Sequence, residues 1–382
     1  METKFYNGLR IGFLGGGQLG RMAIQEAISL NTRIGVLDPD PDAPCKYIAH
    51  EFHQGSLQDY QTVLEFGRKF NLVTIEIEHV NTQALFDLEK EGIQVFPQPS
   101  ILEMVKDKGL QKQFYLENGI PTARFKLIDA DKSIHQYNWS YPFIQKLRKG
   151  GYDGKGVTKI ESAKDLGFSE ASLIEECIDF KKEIAVIVAR NLQGEIKTFP
   201  MVEMEFDPKA NLVEFLYWPS DETQEIQNKA AEIAINLAAK TGIVGILAVE
   251  MFLTRDGQIL VNEIAPRTHN SGHHTIEAAR TSQFMQHLRA LLNLPLGSTD
   301  LVYPAAMINL LGEEGHTGLV EYQGLEQALA MPGVYVHLYG KNTTKPFRKM
   351  GHITITGTNL SEVKEKAKLV KSMVKVISVN KT

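Results

Sequence analysis

Cysteine is nearly absent: the 382 residues contain two, Cys45 and Cys177. Two thiols so placed build neither a disulfide framework nor a metal knuckle, and they fit a reducing compartment. Long apolar runs are missing too. The longest, Ile243 to Val249, ends at Glu250, far short of the roughly 20 residues that cross a bilayer. The opening METKFYNGLRIGFLGGG puts polar groups and glycines where a secretion signal needs an apolar stretch. A soluble, cytoplasmic protein with no membrane partner is therefore expected. No block of like charge occurs either. Lys and Arg number 41 against 46 Asp and Glu, a net charge of −5, so a sequence-independent nucleic-acid footprint is not expected. Internal repeats and low-complexity tracts are likewise absent.

What is present is an ordinary globular composition, 43% apolar and 23% charged. At about 150 residues per domain the length predicts two or three domains. Arg10 to Leu14 reads as a strand, Gly15 to Gly20 as a glycine-rich turn, and Arg21 to Leu30 as a helix. Further strands at Arg33 to Leu37 and Leu72 to Ile77, with helical pattern from Asp59 to Phe70, predict a parallel, doubly wound sheet up to about residue 100. Ser100 to Gly119 reads as helical. Strands are expected at Tyr141 to Leu147, Val157 to Ile160, Leu173 to Ile178 and Glu183 to Ala189, and a helix from Asp221 to Thr241 ended by Gly242. Strands Ile243 to Leu253 and Gln258 to Ile264 flank the turn Thr254-Arg-Asp-Gly. The last stretch offers strands at Val334 to Tyr339 and His352 to Thr356 and a helix from Ser361 to Val374.

Gly15, Gly17 and Gly20 satisfy G-x-G-x-x-G between a strand and a helix, where backbone N–H groups favour an anion, and Asp38 stands where a ribose-binding acid would. A nicotinamide or flavin nucleotide, another anion, and packing of a tight turn all fit this pattern. Glu76 and Glu78 would share a face at the carboxyl end of a strand, a place where ligands bind in open α/β sheets, although a solvated edge gives the same alternation. Lys146, Arg148, Lys149 and Lys155, interleaved with glycines, repel one another, so this loop suits closure over a polyanion; a solvent-exposed hairpin is the plain alternative.

Glu250 and Glu263 give sharper arithmetic. If Asp256-Gly257 is a two-residue hairpin turn, facing positions sum to 513 and the two carboxylates stand opposite each other, whereas a slip of one residue pairs Glu250 with Asn262. Like charges so placed are unfavourable alone and suit a hard cation such as magnesium held with nucleotide phosphates; two solvated surface glutamates are the alternative. Pro266-Arg-Thr-His-Asn-Ser-Gly-His-His follows at once, and its polar density points to an anion pocket rather than zinc, since no helical His pair or Cys partner is present. Lys341, Lys345, Arg348 and Lys349 bracket a loop that is either a solvated tip or a phosphate clamp.

Taken together, Gly-Gly-Gly-Gln-Leu-Gly-Arg-Met at 15–22, Glu-Ile-Glu-His-Val at 76–80, Gly-Gly-Tyr-Asp-Gly-Lys-Gly at 150–156, Asn-Glu-Ile-Ala-Pro-Arg at 262–267, His-Asn-Ser-Gly-His at 269–273 and Arg-Lys-Met-Gly-His at 348–352 resemble the 5-(carboxyamino)imidazole ribonucleotide synthetases, ATP-grasp enzymes of purine biosynthesis. The resemblance runs in order over nearly the whole chain. It implies an α/β and α+β chain: a pre-ATP-grasp, Rossmann-like parallel sheet at 1–100, an ATP-grasp domain at 101–298 with a lid at about 120–180, and a small β-rich C-terminal domain at 299–382, in a homodimer. It also implies the reaction, in which ATP, bicarbonate and 5-aminoimidazole ribonucleotide give the N-carboxylated ribonucleotide, ADP and phosphate.

By the same resemblance ATP contacts fall on Lys108, Lys146, Gly151, Tyr152, Asp153, Gly154, Lys155, Gly156, Val157, Glu175, Glu176, Cys177, Ile178, Glu183, Asn262 and Glu263, and magnesium, with manganese as the alternative ion, on Glu250 and Glu263. Substrate contacts fall on Gln18, Glu76, His79, Tyr152, Asp153, Arg267, His269, Asn270, Lys341, Arg348 and Lys349. Asp153 is the expected proton acceptor, with Lys349 and Arg267 as its catalytic companions. Three departures from the family pattern stand out: Lys108 for Arg, Val157 for Gln, and Val202-Glu-Met-Glu-Phe206 for an Asn-x-His contact to ATP. The competing enzyme readings are another ATP-grasp ligase or a formate-dependent transformylase, and an NAD-dependent dehydrogenase resting on the glycine turn. A nucleotide sensor is the non-enzymatic one.

Overall fold

The computed structural model describes residues 8–151, 156–207 and 212–379. The N-terminal sheet contains β1 (Arg10–Leu14), β2 (Arg33–Asp38), β3 (Glu51–Gln54), β4 (Leu72–Ile75) and β5 (Gln94–Val95), all parallel, in the order β3-β2-β1-β4-β5. Its central strands are buried on both faces, as their unbroken apolar runs require. β4 ends at Ile75, so Glu76 and Glu78 lie in the bend beyond it rather than on a strand face as expected. The helix expected over Ser100 to Gly119 is two helices, Pro99–Lys106 and Lys108–Glu117. Asp107 between them is extended, and its carboxylate caps the second helix by accepting from the N–H groups of Gly109 and Leu110.

A four-stranded antiparallel sheet follows, from β6 (Phe125–Ile128), β7 (Phe143–Leu147), β8 (Val157–Ile160) and β9 (Ser172–Glu176), in the order β6-β9-β7-β8. The largest sheet is antiparallel: β10 (Phe180–Arg190), β11 (Ile196–Thr198), β12 (Val202–Asp207), β13 (Leu212–Trp218), β14 (Gly245–Thr254), β15 (Ile259–Ala265) and β16 (Ala305–Leu311). β17 (Gly318–Gln323), β18 (Val334–Leu338), β19 (Thr343–Thr344), β20 (Lys349–Thr356) and β21 (Lys375–Val379) complete the chain. β20 and β18 extend the large sheet beyond β16, so it crosses residue 298 without a break. Helix Gln224–Thr241, capped by Thr223 and ended by Gly242 in the left-handed region, lays Ala230, Ala234, Leu237 and Ala238 against β10 and β14. No helix among the described residues is long and apolar enough to cross a membrane.

The β14–β15 hairpin differs from its expected form in two places that cancel. Its loop holds three residues, Arg255-Asp256-Gly257, closed by Thr254 N–H donating to the Gln258 carbonyl at 2.9 Å, with Gly257 at φ +81°. Nearest the turn the register is therefore slipped by one: Met251 faces Val261 and Leu253 faces Ile259. A bulge between Glu250 and Met251 then restores it, and Glu250 faces Glu263. The extra residue is Asn262.

Candidate active site

Side chains directly opposite in a sheet share a face, and so do those two apart along a strand. Glu183 lies two residues before Ala185, which pairs with Glu250, which pairs with Glu263. Three carboxylates thus crowd one face of the large sheet. Burial pushes Glu183 up to about 7, against a lowering pull from Lys146. Burial and then the neighbouring Glu263 and Glu183 push Glu250 up. Lys108 Nζ sits 2.5 Å from Glu263 Oε2 and holds that carboxylate low.

The small sheet supplies the opposite wall. Glu175 is 3% exposed and bonded to both Lys146 and Lys112, the latter at 2.9 Å. Lys146 reaches across to the large sheet, where Asn262 Oδ1 accepts from its Nζ at 2.8 Å, so the bulge aims Asn262 at the cation that joins the two walls. Lys112 was not among the expected site residues; its spacing of four from Lys108 on one helix was the available signal. Arg148 is engaged as well, donating to Asp107 through Nε at 2.9 Å and Nη2 at 2.7 Å. Two of the four loop cations, Lys146 and Arg148, therefore face carboxylates of the fold, which lowers the charge repulsion expected of that loop. Gly151, Gly156 and Val157 mark its described ends, with Leu147 N–H donating to the Gly156 carbonyl; Tyr152, Asp153, Gly154 and Lys155 lie outside the described residues. Glu176, Cys177 and Ile178 leave β9 at the rim, Glu176 exposed and the other two half-buried.

Beyond β15, Arg267 Nε lies 2.8 Å from Glu78 Oε1, and His269 Nε2 lies 3.5 Å from Glu250 Oε1. Ser271 places both its N–H and its hydroxyl at His269 Nδ1, which leaves the ring proton on Nε2, facing Glu250. Burial, then Arg267 and Lys349, pushes His269 down to about 3. Asn270 is paired on both amide edges with Asn309, at 2.8 and 3.1 Å. Lys341 donates to the Lys349 carbonyl at 2.7 Å, and Arg348 to the Thr343 carbonyl at 2.7 Å. Glu78, a candidate from its place beside Glu76 but not among the residues assigned to a ligand, enters through Arg267. Gln18 is half-buried at the start of helix Gln18–Ser29; His79 is exposed, and no contact joins its ring to the site among the described residues.

The glycine turn answers its own question. Glu76 fills it: Leu19 N–H donates to Glu76 Oε1 at 3.1 Å, and a Cβ on Gly17 would stand 2.5 Å from that oxygen. Asp38 is also engaged, accepting from Gly16 N–H at 2.6 Å and Asp40 N–H at 2.8 Å. The helix N-terminus thus faces the chain's own carboxylate, and the nicotinamide reading fails. Phe206 packs beside Met204 and Trp218, which gives the departure at 202–206 an apolar surface. Glu203, Asp221 and Glu222 converge closely enough to hold a cation, but the ammonium of Lys182 already lies among them, 2.9 Å from Glu203 and Glu222.

Buried groups make stability depend on pH. His269, His273, His274, His287 and His352 are all pushed below the usual 6.5, by burial first. Glu76, Glu183 and Glu250 are pushed above 4.5 for the same reason. Depressed histidines contribute stability present above their unfolded pKa and lost as pH falls. Raised carboxylates contribute stability that is full below 4.5 and lost as pH rises through their folded values. From 4.5 to 6.5 these five histidines outweigh these three carboxylates; above 6.5 the histidines add no further change while the carboxylates' contribution continues to fall. Without nucleotide the protein should melt highest near pH 6.5 and lose more on the acid side. Melts between about pH 5 and 8.5 check this. A melting temperature still rising at about pH 8 would contradict it.

A cleft between two antiparallel sheets, walled by lysines on one side and paired carboxylates on the other, defines an ATP-grasp ligase. Residues 113–284 match the ATP-grasp domain model, 9–106 the ribonucleotide synthetase preATP-grasp domain and 305–366 the phosphoribosylaminoimidazole carboxylase C-terminal domain. The chain is 39% identical over 364 residues to the chloroplastic phosphoribosylaminoimidazole carboxylase of Vigna aconitifolia, covering 92% of this chain but 65% of that protein's length. The N5-carboxyaminoimidazole ribonucleotide synthetase structure from Thermotoga maritima is 42% identical, with a TM-score of 0.90 over 97% of this chain and 100% of its own. The Aspergillus clavatus enzyme, solved with ADP and 5-aminoimidazole ribonucleotide, is 32% identical, with a TM-score of 0.87 over 96% and 98%. The chain belongs to the N5-carboxyaminoimidazole ribonucleotide synthetase family.

Proposed function

We propose that the protein couples ATP cleavage to carboxylation of the exocyclic amine of 5-aminoimidazole ribonucleotide, giving N5-carboxyaminoimidazole ribonucleotide, ADP and phosphate. One observation carries the reading: the carboxylate pair of the nucleotide cleft and the polar loop Arg267–Asn270 adjoin, with His269 Nε2 3.5 Å from Glu250. Phosphate chemistry and acceptor recognition therefore meet at one place. ADP release that needs both bicarbonate and the ribonucleotide tests it; release unaffected by omitting either would refute it. The division at residues 100 and 298 is part of the same proposal.

Glu250 and Glu263 fit a divalent ion. Both offer hard oxygen donors, and the three carboxylates on this face have Lys108 as their close counter-charge, leaving negative charge to be neutralised. Magnesium held there would neutralise charge on the phosphates as the γ-phosphoryl group leaves. Lys146, fixed by Glu175 and Asn262, and Lys108, fixed by Glu263, place ammonium groups where phosphates would lie. A bicarbonate oxygen attacks the γ-phosphorus, the bond to the bridging oxygen breaks, and ADP departs. The resulting carboxyphosphate falls apart to carbon dioxide and phosphate. Arg267, oriented by Glu78, is the anchor proposed for that anion, and His269 can donate from Nε2. The ribonucleotide amine then attacks carbon dioxide and gives its proton to Asp153, which the motif at 150–156 nominates.

Lys341 and Arg348 are proposed to grip the ribonucleotide phosphate. Arg348→Ala should raise KM for the ribonucleotide by about 10- to 100-fold, the worth of a lost charge-assisted hydrogen bond, and leave KM for ATP within about twofold. Steady-state kinetics varying each substrate in turn decide this; equal rises in both KM values would remove Arg348 from that role.

A further inference from the structure

Between the loop that carries His269 and the C-terminal strands lies a column of imidazoles that the proposed reaction leaves unused. His337 and His352 stack with centroids 4.5 Å apart and 12° between planes, and His352 meets His273 at 4.7 Å and 34°. His273 and His352 are 1% and 0% exposed. The outer ring, His337, points Nε2 at Glu277 Oε1, 2.7 Å away, and the Tyr339 hydroxyl lies 3.0 Å from His352 Nδ1. At the inner end Gln283 accepts from His269 N–H at 2.9 Å, so its amide nitrogen donates to the His269 carbonyl at 2.7 Å and faces His273 Nδ1 at 3.2 Å. One side chain thereby ties the His273 ring to the backbone of His269.

We propose that the His273–His352–His337 stack is the joint that positions Lys341 and Lys349 against Arg267 and His269, setting affinity for the ribonucleotide without touching it. The proposal rests on the functional reading above. His352 lies three residues beyond Lys349 on β20 and directly opposite His337 on β18. Lys341 bonds the Lys349 carbonyl, so the cations at the open end of these strands move together. His273 lies four residues beyond His269, so the stack joins the two halves of the acceptor site from behind. The Asn270–Asn309 pair crosses the same seam.

The joint works only with its inner rings uncharged. The His273 ring packs against His352, Tyr339 and Phe284 and feels the charges of His269, Lys349, His337 and His274; His352 packs against His273 and His337, feels His274 as well, and has the Tyr339 hydroxyl at its Nδ1. The carboxylate of the column, Glu277, turns Oε1 to His337 at the outer end and bonds neither inner ring. A proton on an inner ring would meet imidazoles and an ammonium, and Gln283, already donating, could not accept it.

The test compares wild type, His352→Phe and His352→Ala in the full-length enzyme. In the alanine variant KM for the ribonucleotide should rise by about tenfold or more with kcat within about threefold and KM for ATP within about twofold. Phenylalanine keeps a stacking ring and should bring KM back to within about threefold of wild type. A phenylalanine variant as impaired as alanine, or an equal rise in KM for ATP, overturns the proposal. Imidazole nitrogen NMR of the wild type needs no turnover: His273 and His352 should keep the neutral pattern down to about pH 5.5, and a charged ring at about pH 6 overturns the joint. A wild type that binds ADP but never consumes the ribonucleotide refutes the functional reading instead, and the NMR result still decides the stack.

Discussion

Changing Glu250 to Gln should stop ATP cleavage, lowering kcat by about 10³-fold or more, while the nucleotide-free protein melts no lower than wild type. The first effect follows from metal-assisted phosphoryl transfer, where charge neutralisation is worth several kcal/mol and each ~1.4 kcal/mol is tenfold in rate. The second follows from Glu250 itself, which burial, Glu263 and Glu183 all push toward its neutral form. An amide of the same shape removes a charge the fold does not welcome. Glu263→Gln is the contrasting case. It also ends cleavage, but it strips Lys108 of its partner, and the nucleotide-free protein should lose up to about 1 kcal/mol, the worth of a partly exposed ion pair. In both variants the stabilisation by magnesium and ATP should shrink sharply. Calorimetric melts with and without nucleotide, beside ADP release assays, separate these outcomes. A Glu250→Gln enzyme with full turnover would move the metal elsewhere.

Glu175→Gln should cost about 3 to 5 kcal/mol of folding stability, a large part of the usual 5 to 15. The Glu175 side chain is 4% exposed and is the shared counter-charge of Lys112 and Lys146, themselves 3% and 10% exposed. Burial alone would raise Glu175, yet the two lysines outweigh it and hold the carboxylate low. Without that charge two ammonium groups face each other in a cleft wall, and Lys112, already pushed down by burial, would shed its proton. Lys146 also loses its orientation, so KM for ATP should rise. Urea unfolding of Glu175→Gln beside Glu176→Gln, the exposed neighbour, gives the comparison: the neighbour should change stability by no more than about 0.5 kcal/mol. Equal, small effects would mean that the triad contributes little.

How far the sequence speaks is visible in individual residues. The parallel N-terminal sheet was legible because β1, β2 and β4 are short apolar runs alternating with helical pattern, which few other arrangements satisfy. The opposition of Glu250 and Glu263 was reached with a turn one residue too short, and the bulge at Asn262 compensated. No single-sequence rule announces such a bulge, because it answers to Lys146 on another sheet. The glycine turn left its readings open: its N–H groups suit an acceptor, and only the fold reveals that the Glu76 carboxyl takes one of them. Long-range pairings escaped for the same reason. Arg148 with Asp107, Lys112 with Glu175 and Arg267 with Glu78 join residues far apart in sequence, and composition gives no hint of which cations are spoken for.

The most direct measurement of the central claim is carbon-13 NMR of a reaction containing labelled bicarbonate, magnesium ATP and 5-aminoimidazole ribonucleotide. One labelled carbamate carbon on the exocyclic nitrogen should form for each ADP released, and neither should form when bicarbonate or ribonucleotide is left out. ADP accumulating with no labelled carbamate, or label reaching any other atom of the ribonucleotide first, would contradict the account.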